Sequence, residues 1–162
     1  MLAKTPTLLI MWEDDDDNDA SDYDPGEDKN IEALPIYKKA LEIVDLTEQI
    51  VDTFAEEGHA SRHREYMLED SMMLPAKIAG AEAMDYYIHK MENATLVKIH
   101  ARSLLTQTAS IKHLGIVNEQ YVQLLRDEIE AFRLLFKEWV KTFDANATKE
   151  GDGWGLFVPD EE

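Results

Sequence analysis

Between residues 34 and 143 apolar side chains recur in steps of three and four, the period that gathers them on one side of an α-helix. The pattern predicts four helices. The first begins at Leu34 or Pro35, because proline's missing N–H costs a first turn nothing. Ile36, Ala40, Ile43, Val44, Thr47, Ile50, Val51 and Phe54 make its stripe, and Gly58 stops it. The second is capped by Ser61, steps along Met67, Ser71, Leu74 and Ile78, bends at Pro75 and leaves at Gly80. The third runs from about Glu82 to Leu114 along Tyr87, Met91, Ala94, Val97, Ala101, Leu104, Thr108 and Ile111. Gly115 followed by Ile116 reads as its stop, a left-handed residue and then an apolar one that packs back. The fourth, capped by Asn118, carries the clearest period: Val122, Leu125, Ile129, Phe132, Phe136, Trp139 and Phe143.

Short connections make sequence neighbours antiparallel neighbours. The expected fold is therefore all-α, an antiparallel up-and-down four-helix bundle over residues 34–145. An acidic, mostly irregular tail precedes it at 1–33. A second acidic tail at 146–162 holds a Trp-Gly-Leu-Phe segment beginning at Trp154.

The fourth helix carries more apolar surface than a bundle needs. Its large side chains, from Tyr121 to Phe143, span about 160°, against the ~100° stripe that faces a core. Ile88 and Ile99 stand off the seam of the third helix. Surplus of this kind marks contact with another chain. Ile88, Ile99, Leu135, Trp139 and Phe143 are thus expected at an interface, and the protein is expected to be a homo-oligomer. Trp154, Leu156 and Phe157 belong to the same expectation, since exposing an indole forgoes about 2 kcal/mol of burial.

Charge changes the picture next. The net charge is −18 over 162 residues. Residues 1–32 hold two Lys/Arg against eleven Asp/Glu, and residues 146–162 hold one against five. Such a field opposes autonomous binding of a phosphate backbone and suits a basic partner protein. A local stripe of Lys90, Lys98, Arg102 and Lys112 on the third helix is the candidate nucleic-acid contact. With no cysteine, a disulfide framework or thiolate metal site is excluded. No apolar run approaches the ~20 residues of a membrane-spanning helix, and the expected location is the cytoplasm.

No catalytic, cofactor-binding or metal-binding residues are expected. The Glu-x-x-His pair of di-metal bundles occurs only at Glu56 and His59, with Gly58 inside it. His59 and His63 lack a third ligand and read as surface residues. Asp14, Asp16 and Asn18 begin a calcium-loop pattern, but Asp19 stands at the glycine position and Pro25 at that of the bidentate glutamate. No phosphate-cradling glycine motif occurs. Glu128 falls inside the apolar arc of the fourth helix, where a carboxylate needs a partner; Lys98, His100 or Arg102 on the third helix is the expected one.

Two stretches, "SMMLPAKIAGAEA" at 71–83 and "YYIHKMENATLVKIHARSLL" at 86–105, resemble a known helical family. Proteins encoded in intervening sequences of large-subunit rRNA genes carry an Ile-Pro-x-Asn-Ile-Ala-Glu-Gly-like stretch on helix two. Leu74, Pro75, Ile78 and Ala79 match it, and Met91 with Ala94 matches a Leu-x-x-Ala step on helix three; Lys77 stands where the asparagine would be. The related accessory protein of diversity-generating retroelements shares this bundle. The resemblance implies a four-helix bundle, a homo-oligomer of five subunits as in that protein, and an interaction role beside a reverse transcriptase or its RNA. Taken together, the expected function is a non-catalytic, self-associating adaptor for a basic, nucleic-acid-handling protein. The alternative is a nucleic-acid-binding accessory protein.

Overall fold

A computed structural model describes residues 30–147 and 152–159. Four helices make up the body: α1 (Pro35–Val51), α2 (His59–Glu82), α3 (Tyr87–His113) and α4 (Glu119–Val140). Short 3₁₀ turns at Ile31–Ala33 and Ala145–Ala147 flank them, and no strand occurs among the described residues. The expected all-α four-helix bundle is the observed fold.

Each boundary has a local cause. Pro35 occupies the first turn of α1. After Val51 the chain turns back, and Phe54 is buried just beyond the helix. Asn118 caps α4 by accepting a hydrogen bond from the Gln120 amide at 2.9 Å. At the end of α3, Gly115 adopts φ 64° and the Ile116 amide donates to the Ile111 carbonyl at 3.1 Å. That bond satisfies a carbonyl the helix leaves orphaned, and Ile116 packs on the core as expected.

Several boundaries differ from the sequence reading: α1 ends at Val51, short of Phe54 and Gly58, and α3 starts at Tyr87, since Glu82 is the last residue of α2. Ser61 lies inside α2, which starts at His59 after Gly58 turns the chain at φ 79°. Gly80 does not end α2. A Cβ there would stand 3.0 Å from Asn93 Oδ1, so the missing side chain lets α2 approach α3 closely. Pro75 lies within the continuous helix.

Residue pairs give the orientation. His63 meets Gln107, Asp70 meets His100, and Gly80 meets Asn93, so α2 and α3 run antiparallel. Lys112 with Glu119, Thr108 with Arg126, and Lys90 with Phe143 do the same for α3 and α4. α4 also packs on α1, which closes the ring of neighbours. The start of α1 and the end of α4 therefore share one end of the bundle. All four seams meet in one core centred on Ile43, Met67, Leu74, Leu104, Leu125 and Phe132. Burying each such side chain contributes roughly 1.5–3 kcal/mol.

Candidate functional site

The apolar surplus of α4 splits into two parts. Trp139 is only 5% exposed; its indole N–H donates to Glu82 Oε1 at 2.8 Å. Phe143 meets the indole edge to face at 4.9 Å between ring centroids, and Phe136 lies at 5.9 Å. Leu34, Pro35 and Ile36 from the start of α1 face it across a depression at that end of the bundle. Ile88 is likewise buried. Trp139 and Ile88, expected at an intersubunit surface, are thus covered within the subunit. Leu135 and Phe143 are half-buried against the core.

What remains outside lies elsewhere. Ile99 is 53% exposed, with Leu96 one turn before it. In the C-terminal segment Trp154 is 87% and Leu156 69% exposed, while Phe157 is half-buried. The Trp154 amide donates to Asp152 Oδ1 at 3.0 Å, a local turn that leaves the indole in solvent.

The polar residues also divide. Glu128 is paired, but not with α3: Lys39 Nζ of α1 donates to its Oε2 at 2.7 Å and also contacts Glu42. These two bonds, the one to Glu128 first, raise the Lys39 pKa above its ordinary 10.5. Helical spacing places Glu128 within the arc without saying which neighbour lies there, and the bundle puts α1 on that side. His100 meets Asp70 instead, the imidazole Nδ1 lying 2.9 Å from Oδ1. Asp70 Oδ2 and Thr47 Oγ1 are buried without a partner among the described residues. No group of three or more metal-ligating side chains is assembled among the described residues. No helix there is long and apolar enough to cross a membrane.

Between α3 and α4 runs a groove of about 360 Å³. Ala101, Leu105, Ile129, Phe132 and Phe136 form its apolar floor. Lys98 and Arg102 of α3, and Arg126, Arg133 and Lys137 of α4, line it as well, with Glu130 the one carboxylate. That is five of the chain's sixteen Lys and Arg in one groove of an acidic protein. Glu130 is engaged by Arg133 through two bonds of 2.6 and 2.8 Å, and Arg126 donates to Thr108 Oγ1 at 2.9 Å. Lys98 and Arg102 form no ion pair among the described residues. Flanks of paired helices ordinarily carry opposite charges that join across the seam. Here both carry cations, and α3 and α4 are the least intimately packed neighbours in the ring.

Of the basic stripe read from the sequence, the groove unites only Lys98 and Arg102. Lys90 lies 5.5 Å from the centre of the Phe143 ring, a cation–π contact at the far end. Lys112 sits toward the opposite end, 3.7 Å from Glu119, lining a second depression with Arg126. The α4 cations were missed because helix three was read alone. The signal was present in the Arg126, Arg133, Lys137 spacing, which follows the helical repeat.

Compared with known proteins, the chain matches no family model and no curated protein.

Proposed function

We propose that this protein is a non-catalytic, self-associating helical-bundle adaptor that binds another protein through apolar groups its own fold leaves uncovered. The observation that carries the reading is the exposure of Trp154 and Leu156, 87% and 69%, beside a bundle that hides Trp139 almost completely. An indole 87% exposed adds little to the packing of its own subunit, and its burial against a second surface is worth about 2 kcal/mol or more. Ile99 extends the same surplus onto α3. The acidic tails favour a basic companion, such as a nucleic-acid-handling protein. The likeness of residues 71–105 to rRNA-intervening-sequence proteins agrees with such a role and with assembly into rings.

Light scattering tests it. The full chain is expected at a multiple of 18.6 kDa, and Trp154→Ala/Leu156→Ala at a lower multiple with unchanged helical content. Equal masses would refute the role given to this segment.

One observation favours a second reading, nucleic-acid binding. Lys98 and Arg102 line one groove with three further cations. A salt-sensitive RNA gel shift abolished by Lys98→Glu/Arg102→Glu would support it.

A further inference from the structure

The α3/α4 groove poses a separate problem. Cations from both helices line a seam whose floor is apolar, and the one carboxylate among the lining residues, Glu130, is already held by Arg133, which leaves a net positive charge along the groove. A phosphate chain would answer the charge and leave the floor unused. The fitting occupant carries large apolar side chains beside a run of carboxylates.

Such a segment exists in this chain. Residues 7–17 read "TLLIMWEDDDD": Leu8 to Trp12 are apolar, and Glu13 to Asp17 are all acidic. We infer that this segment docks in the α3/α4 groove of its own subunit, the apolar part on the floor and the acids against Arg102, Arg126, Arg133 and Lys137. A groove of about 360 Å³ suits a few large side chains, toward the lower end of the ~300–1,000 Å³ of small-ligand sites. Connection length permits it. The described chain starts at Asn30, beside the start of α1 and the end of α4. From Asp17 to Asn30 an extended chain reaches up to about 45 Å, while the groove lies one helix away at a spacing of about 8–10 Å. A tether this short also gives an effective concentration on the order of millimolar, which favours the chain's own segment over a second copy's. The C-terminal segment is the weaker occupant, since its Trp154 stands in solvent.

The chain has no cysteine, so Asn18→Cys in the full-length protein accepts a single nitroxide label. Loss of amide signal intensity at Arg102, Leu105, Arg133 and Phe136, in a sample diluted with unlabelled chains, is the expected result. Arg102→Glu/Arg133→Glu should restore those signals, and adding Glu13→Lys, Asp14→Lys and Asp15→Lys to that variant should bring the loss back. Intensity loss spread evenly over the surface would overturn the proposal, as would none at the groove. Loss arising only between labelled and isotope-enriched copies would overturn the intramolecular form and assign the groove to a second subunit. RNA binding that depends on Arg102 and Arg133, with no broadening at the groove, would give it to nucleic acid instead.

Discussion

The indole of Trp139 near the end of α4 donates to Glu82, the last residue of α2, at 2.8 Å across the bundle. This bond joins two helices that are not neighbours in the ring and closes one end of the core. It also explains why the wide arc of α4 does not all face outward.

Removing the indole should be costly. Trp139→Ala is expected to lower the unfolding free energy by about 3–5 kcal/mol, measured by urea denaturation. Glu82→Ala leaves a buried N–H without its acceptor and should cost roughly 1–3 kcal/mol, whereas Glu82→Gln keeps a carbonyl there and should cost less.

Lys39 bridges Glu128 and Glu42, so the two ends of this network are unequal. Glu128→Gln leaves Lys39 one carboxylate, while Lys39→Met leaves two carboxylates facing each other without a cation. Lys39→Met should therefore destabilise more, the pair being worth up to about 1 kcal/mol at this partial exposure. The pH sign follows from the raised Lys39 pKa. Its contribution is complete below 10.5 and is lost as pH rises through the higher folded value. The stability difference between wild type and Lys39→Met should accordingly hold at neutral pH and shrink in strong alkali.

Thr47 offers a gain. Its hydroxyl is buried and unpartnered among the described residues, so Thr47→Val exchanges an unsatisfied polar group for a methyl of like size. An increase of about 1 kcal/mol in urea is expected; a loss would mean that the hydroxyl is satisfied.

Gly80 separates two opposing effects. Alanine gains up to about 1 kcal/mol of helix propensity, but its Cβ would press on Asn93 Oδ1, whose amide is held by donation to the His89 carbonyl at 3.0 Å. Gly80→Ala alone should be near neutral, and should show the full gain in an Asn93→Ala background. Urea midpoints of the four proteins of this double-mutant cycle decide it.

Periodicity carried most of the fold. The seam of α4 and the Gly115–Ile116 stop depend on local geometry alone, and both stand as read. Gly80 was taken for an exit because a small residue ends a helix and admits a close neighbour by the same absence of Cβ. Glu128 was assigned to the wrong neighbour because spacing gives an angle around one helix, whereas its partner depends on which way the bundle turns. The width of an apolar arc likewise does not reveal that the start of α1 will lie over part of it. The groove was legible only in half, since its cations come from two helices that meet through the fold.

Hydrogen–deuterium exchange of residues 152–159, compared in dilute and concentrated protein, tests the central claim most directly. The account predicts that these amides exchange more slowly as concentration rises, and that Trp154→Ala/Leu156→Ala removes the effect. Equal exchange at every concentration would contradict it, because a segment that never leaves water does not bring one subunit to another.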